Sequence, residues 1–150
     1  MSATKTLYRA ATVESPYFGA ESCWTADRAV ADEYRDNGGY GGPVVYAATV
    51  EIDEARVLDL TGVPSAKVAR RLATVLGFRG DERDAMEDRW SQAAKTFAPW
   101  ETAPKLRDML TERYDWIVYD DDYPEGAVTW CYLGSDDIEA APGWWARAAR

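Results

Sequence analysis

The sequence predicts an α+β fold in which strands at both ends of the chain enclose a helical middle. Short apolar, strand-like runs lie before residue 61 and after residue 115, and a 3.6-residue apolar period dominates from about 64 to 112. The alternating β-α-β order of a doubly wound dinucleotide-binding fold is absent. With 150 residues, of which 47% are hydrophobic, residues 1–150 are expected to form a single domain.

The first 60 residues predict four strands and one helix. The strands are expected at Leu7–Ala10, Ser22–Thr25, Val44–Ile52 and Arg56–Leu60. The helix is expected from about Asp27 to Arg35, with Thr25 or Asp27 as its cap. Its inner face is predicted to carry Ala26, Val30 and Tyr34.

The middle segment, about 64–112, predicts three helices. Apolar side chains share one face of the first helix (Val68, Leu72, Val75, Leu76) and of the second (Met86, Trp90, Ala93, Phe97). Gly77 and Gly80 separate these two helices, and Pro104 marks the start of the third.

The last 38 residues return to strands. Trp116–Tyr119 and Val128–Leu133 are predicted strands, and residues 144–150 are predicted to form a short helix docked by two tryptophans. An acidic turn lies between the two strands.

Composition excludes several classes of function. The chain has no histidine, which removes Ser-His-Asp and Cys-His catalysis and nearly all zinc sites, so no metal is expected. The net charge of −9 makes long nucleic acid an unsuitable ligand and suits a basic protein partner. No apolar run would cross a membrane and no secretory leader is visible, so a cytoplasmic location is expected. Cys23 and Cys131 are predicted to be buried thiols, with a disulfide or a reactive nucleophile as the alternatives.

Two polar features are candidates for a functional site. Asp120, Asp121, Asp122 and Glu125 form a carboxylate cluster directly after an apolar strand, where a scaffold often presents catalytic groups. A solvated acidic turn, a calcium loop and the acid–base pair of a glycosidase are the alternatives, although the spacing does not fit an EF-hand. Arg9, within an apolar strand, is either an anion anchor or the partner of a surface carboxylate. The glycine-rich residues 38–42 lack the lysine of a P-loop and precede a strand, so a plain loop is expected there.

Three segments together resemble the three motifs of ADP-ribosyltransferases. Residues 7–10 (Leu-Tyr-Arg-Ala) are similar to the opening strand of that family, whose basic residue holds NAD⁺. Residues 19–34 resemble the Ser-Thr-Ser or Tyr-x-Thr strand and the helix after it, and Pro43–Leu60 resembles the strand pair that follows in many members. Residues 114–133 resemble the late strand, the acidic loop and the final strand that carry the catalytic carboxylate. The order and spacing are also similar to small phage ADP-ribosyltransferases that act as anti-CRISPR proteins.

The resemblance implies a split β-sheet core with an inserted helical segment, and NAD⁺ as substrate. The implied catalytic carboxylate is one of Asp121, Asp122 and Glu125, because alignment from the strand selects Asp121 and alignment from Gly126 selects Glu125. The implied NAD⁺-binding residues are Tyr8, Arg9, Ala10, Trp24, Thr25, Tyr34 and Tyr40. Within this set Arg9 would hold the ribose or diphosphate, Thr25 would brace the site, and Trp24, Tyr34 or Tyr40 would stack on a ring.

The implied activity is NAD⁺-dependent mono-ADP-ribosylation of a protein target, with a CRISPR effector or another host protein as the candidates. An NAD⁺ glycohydrolase toxin would use the same site with water as the acceptor. A non-catalytic acidic protein that binds a basic partner is the alternative from a different class, and the net charge favours it.

Overall fold

The computed structural model describes residues 2–37, 42–96, 104–120 and 126–143. Contacts divide the chain into two compact units, one of residues 1–61 with 114–150 and one of residues 62–113. The first unit holds all the described strands and one α-helix, and the second holds the other three described α-helices, so the class is α+β. The predicted helix at 144–150 lies outside the described residues.

The first unit contains two β-sheets and one helix. The strands are β1 (Ser2–Ala11), β2 (Cys23–Trp24), β3 (Val44–Asp53), β4 (Val57–Asp59), β5 (Trp116–Asp120), β6 (Val128–Tyr132) and β7 (Ala141–Pro142), and the helix is α1 (Arg28–Asp36). One sheet has the order β1-β3-β7 and the other has the order β2-β6-β5-β4. All strand pairs are antiparallel except β4 with β5.

Strand β1 is longer than the run Leu7–Ala10 that predicts it. It pairs with β3 along its whole length, from Ser2 opposite Asp53 to Ala11 opposite Val44. Its first five residues are polar or small and largely exposed, so no burial pattern marks them in the sequence. They form a strand because the long apolar β3 provides a complete ladder of backbone partners.

The two sheets share one hydrophobic core. Its buried members come from β1, β2, β3 and β5, namely Leu7, Trp24, Ala48, Ile52 and Trp116. A further β-bridge joins the sheets, because Tyr8 N–H donates to Thr25 O at 2.7 Å and Thr25 N–H donates to Tyr8 O at 2.9 Å. The end of β2 is therefore held against the middle of β1.

Helix α1 begins where the sequence predicts it. The Asp27 carboxylate accepts from Ala29 N–H at 2.9 Å, and Thr25 Oγ1 accepts from Asp27 N–H at 3.2 Å. The predicted inner face is wrong at Ala26, which is exposed, whereas Val30 and Tyr34 are half-buried and Ala31 is the buried residue. The helix contacts β1 and β3, and the small Ala31 side chain allows close packing there.

The second unit consists of α2 (Val68–Val75), α3 (Gly80–Thr96) and α4 (Pro104–Thr111). Helices α2 and α3 pack together, and Arg70 on α2 pairs with Asp84 and Glu87 on α3. Buried apolar residues of the unit are Val68, Ala69, Leu72, Ala73, Trp90, Leu106 and Leu110. Ala93 and Phe97, which were predicted on the apolar face of the second helix, are not among the side chains that the structure describes.

Candidate functional site

A cleft of about 450 Å³ opens in the first unit, within the size range of small-molecule sites. Three stretches that are far apart in the sequence form it: β1, the turn from β2 into α1, and the ends of β5 and β6. Its lining residues are Lys5, Thr25, Ala26, Asp27, Val30, Val118, Gly126, Ala127, Val128 and Trp130. The cleft thus combines an apolar wall with an ammonium, a hydroxyl and a carboxylate.

Lys5 and Trp130 form one side of the cleft. The Lys5 ammonium lies 5.0 Å from the centroid of the Trp130 ring, a cation–π geometry. Trp130 also packs edge-on against Trp116, with 6.1 Å between ring centroids, so its indole is fixed on the sheet. Among the described lining residues, Lys5 is the only cation. The ammonium is therefore held over a rigid aromatic surface at the cleft.

The turn between β2 and α1 supplies further polar groups of the cleft, Thr25 and Asp27. Thr25 is 4% exposed, and its hydroxyl oxygen accepts from the backbone of Asp27. Because that interaction uses only an acceptor position, the hydroxyl proton is still available to donate. The Asp27 carboxylate caps α1, so it is oriented by the helix itself.

Arg9 lies outside the cleft lining. Its Nε donates to Tyr17 O at 3.0 Å and its Nη1 donates to Cys23 O at 2.9 Å. Burial lowers the pKa of Arg9 from its ordinary value, with opposing contributions from the neighbouring cysteines and Tyr17. These contacts tie β1 to β2 and to the segment between them, and they use two guanidinium donors on backbone carbonyls.

Three further residues implied as NAD⁺-binding lie near this junction. Tyr8 is half-buried, and the Arg28 guanidinium carbon lies 5.8 Å from the centroid of the Tyr8 ring. The backbone of Tyr8 forms hydrogen bonds with the backbone of Thr25. Ala10 is buried in the sheet. Trp24 is 2% exposed, and its indole N–H donates to Ser22 Oγ at 2.9 Å. The Trp24 ring is thus part of the shared core and does not line the cleft.

The aromatic surface in the cleft comes from Trp130, which the sequence did not single out. Trp24 and Trp130 lie opposite each other on β2 and β6 and therefore share one face of the sheet. Their difference in exposure depends on which end of that face the other sheet covers. A sequence pattern of alternating residues marks the shared face but not its open end.

The remaining predicted residues fall at the border of the described structure. Tyr34 is half-buried on α1 and does not line the cleft. Tyr40, Asp121, Asp122 and Glu125 lie outside the described residues. The flanks of the acidic segment are described: Asp120 ends β5, and Gly126, with a φ of +81°, lines the cleft immediately after Glu125. Gly126 and the two residues after it therefore form part of the cleft wall.

The two cysteines differ in environment. Cys131 is 1% exposed, as predicted, but Cys23 is exposed, so the prediction of a second buried thiol is wrong. Strand β2 has only two residues, and its Cys23 face is less covered than its Trp24 face. The described residues contain no cluster of three or more acidic or thiol side chains suited to a metal ion.

Comparison with known proteins finds no matching family model, curated protein or solved structure. Within the described ranges, no helix has both the length and the apolar character needed to span a membrane.

Proposed function

We propose that the chain is an NAD⁺-dependent mono-ADP-ribosyltransferase that modifies a protein. One observation carries the proposal: the second and third segments that resemble the family's motifs line one cleft together with Lys5, which lies two residues before the first segment on the same strand. Lys5 comes from the first strand, Thr25 from the second motif, and Gly126 directly follows the acidic segment of the third.

The cleft offers groups that complement the diphosphate, a ribose and a base of a dinucleotide. The Lys5 ammonium suits the diphosphate, which is the most highly charged part of NAD⁺. The Thr25 hydroxyl suits a ribose hydroxyl, and the Trp130 indole together with the valines suits an aromatic base.

The reaction needs a carboxylate but neither a metal nor a histidine. The bond between nicotinamide and ribose breaks with its electron pair leaving on nicotinamide, and the ribose develops oxocarbenium character as in glycoside cleavage. A carboxylate that binds the ribose 2′-hydroxyl stabilises this charge. The acceptor on the target then bonds to ribose C1′ and loses a proton. Glu125, Asp121 and Asp122 are the carboxylates proposed for this role.

The target is proposed to be a protein with a basic surface. The net charge of −9 disfavours a nucleic-acid acceptor and favours encounter with a positively charged protein. Exposed carboxylates on Asp136, Asp137 and Glu139, between β6 and β7, add to this acidic surface. A CRISPR effector or another basic host protein fits this description.

Calorimetry with NAD⁺, combined with measurement of released nicotinamide, tests the proposal. Binding is expected, with nicotinamide release when an acceptor protein is supplied. Of the single changes Asp121→Asn, Asp122→Asn and Glu125→Gln, one is expected to reduce release by a factor of about 10²–10³ while leaving NAD⁺ bound. Retention of full release by all three variants would show that none of these carboxylates is catalytic.

Two outcomes would assign the chain to another class. Rapid nicotinamide release with water as the only acceptor would indicate an NAD⁺ glycohydrolase. Absence of NAD⁺ binding at millimolar concentration, together with salt-sensitive binding to a basic protein, would indicate a non-catalytic acidic binder.

A further inference from the structure

The two cysteines of the chain face each other across one strand pair. Cys23 on β2 lies directly opposite Cys131 on β6 in the antiparallel register. Directly opposite residues project to the same face of a sheet. Residues 108 positions apart in the sequence are thereby brought side by side.

The ladder places this pair at a position suited to a disulfide. Tyr132 N–H donates to Ser22 O at 2.9 Å, so the neighbouring Ser22–Tyr132 pair is the hydrogen-bonded one. Positions alternate along an antiparallel ladder, which makes Cys23–Cys131 a non-hydrogen-bonded pair with Cα atoms typically about 4.5 Å apart. Disulfides join residues whose Cα atoms are roughly 4.4–6.8 Å apart, so no strand movement is required.

The two thiols lie side by side on one face of the strand pair and have different surroundings. The hydrogen bond to Cys23 is the largest cause that raises the pKa of Cys131, and burial is the second. Cys131 therefore keeps its proton while Cys23 is a free thiol, and it is shielded from solvent. The first of these causes requires the Cys23 thiol, so it no longer applies once Cys23 carries glutathione, and Cys131 can then lose its proton to the departing glutathione. Cys23 is exposed, and its backbone carbonyl accepts from the Arg9 guanidinium at 2.9 Å, which brings a positive charge close to this residue.

We propose that Cys23 and Cys131 form a thiol–disulfide exchange site for low-molecular-weight disulfides such as glutathione disulfide. The Cys23 sulfur attacks one sulfur of glutathione disulfide, and the S–S bond breaks to release one glutathione. The Cys131 sulfur then attacks the Cys23 side of the mixed disulfide and releases the second glutathione. The two protons lost by the protein thiols leave on the two glutathione molecules, and the protein gains one Cys23–Cys131 bond.

The order of attack follows from exposure. A mixed disulfide forms first at the thiol that a tripeptide can reach, which is Cys23. Cys131 is 1% exposed but adjacent to Cys23, so it acts only in the second, intramolecular step. Oxidation would link β2 to β6 one residue before Trp24, and two before Thr25 in the cleft.

Mass spectrometry of the native protein in glutathione redox buffers tests the proposal. The wild type is expected to lose two hydrogen atoms in oxidised buffer, to give a peptide containing Cys23 linked to a peptide containing Cys131, and to recover on reduction. Only stable glutathione adducts, or disulfide-linked dimers through Cys23, would overturn the proposal.

Matched variants separate the two steps. Cys131→Ala, with Cys131→Ser as a second version in case one is unstable, is expected to stop at one glutathione on Cys23. Cys23→Ser is expected to take up no adduct while folded, as judged by its circular dichroism. An adduct formed on Cys131 in folded Cys23→Ser at the wild-type rate would contradict the assigned order.

Discussion

The two ends of β1 each present a cation on the same face of the strand, but the two cations have different surroundings. Arg9 donates to the carbonyls of Tyr17 and Cys23 at 3.0 and 2.9 Å, at the junction of the two sheets. Lys5, four residues earlier, lies over the Trp130 ring and borders the cleft. Because backbone carbonyls accept from two of the Arg9 donors while Lys5 lines the cleft, we infer that Arg9 maintains the fold and Lys5 binds the ligand.

The largest effect is expected from Arg9→Met. The variant keeps much of the stem but leaves the carbonyls of Tyr17 and Cys23 without their donor, so the free energy of unfolding is expected to fall by about 2–3 kcal/mol. Urea denaturation followed by circular dichroism measures this change. The free energy of unfolding of Arg9→Lys should lie between those of the wild type and Arg9→Met, since one ammonium cannot reproduce the planar array of donors of a guanidinium.

The same variant also tests the role that the family resemblance implies for Arg9. If Arg9 acts through the fold alone, folded Arg9→Met protein should bind NAD⁺ with nearly wild-type affinity. A loss of affinity under conditions where the variant is fully folded would place Arg9 in direct contact with NAD⁺, and the contrast between the two ends of β1 would fail.

Lys5→Met is expected to have the converse effect. It removes the ammonium while retaining an apolar chain over Trp130, so NAD⁺ affinity should fall roughly tenfold, equivalent to about 1.4 kcal/mol, with little change in unfolding. Calorimetry at low ionic strength makes the measurement, because salt weakens such contacts. Lys67→Met is the matched control, since it removes the same charge from an exposed position in the helical unit. Equal affinity losses in both variants would indicate a general charge effect rather than a contact with the ligand.

Titration at alkaline pH examines the Arg9 end by a different route. The pKa of Cys131 is raised above its ordinary value of 9.0, first by its hydrogen bond to Cys23 and then by burial. The folded thiol thus keeps its proton at a pH where the unfolded thiol loses it. The contribution of the protonated Cys131 thiol to the free energy of unfolding is complete below pH 9. It is lost as the pH rises further, by at most about 1.4 kcal/mol per pH unit.

Denaturation of the reduced protein between pH 7.5 and 10 checks that slope. Cys131→Ala should lose stability less steeply than the wild type over this range. Tyr132, whose pKa is also raised, starts from 10.0 and contributes mainly above the range. Parallel pH profiles for the two proteins would mean that Cys131 ionises in the folded state as it does in the unfolded chain.

The contrast between Lys5 and Arg9 also shows how far the sequence could predict the molecule. The apolar runs of β3, β5 and β6 and the Asp27 cap are local signals, and the structure has them close to where they were predicted. No sequence pattern predicted that Lys5 belongs to a strand or to a site. It lies in the polar, exposed half of β1, which is a strand because it pairs with β3. Strand β7 was missed for a similar reason, since its two residues are defined by pairing with Tyr46 and Ala47.

Which of two equivalent tryptophans lines the cleft also depends on tertiary packing. Trp24 and Trp130 are neighbours across the ladder, yet one is buried and the other lines the cleft. The family resemblance implied Trp24, Tyr34 or Tyr40 for the aromatic role and did not include Trp130. Exposure of Trp130 depends on where the other sheet ends, which no local pattern encodes.

The smallest effect is expected at the Lys5 end, from Asp27. Asp27→Ala removes the side-chain acceptor that satisfies Ala29 N–H, so the free energy of unfolding should fall by about 1 kcal/mol. Asp27→Ser supplies another capping oxygen and should restore most of that loss, as measured by urea denaturation. Because the carboxylate borders the same cleft as Lys5, both variants should also be titrated with NAD⁺. If Asp27 serves only as a cap, Asp27→Ser should bind NAD⁺ as the wild type does. A change in affinity without a change in stability would add Asp27 to the ligand-binding groups, and the cleft end of β1 would then face a binding site with charges of both signs.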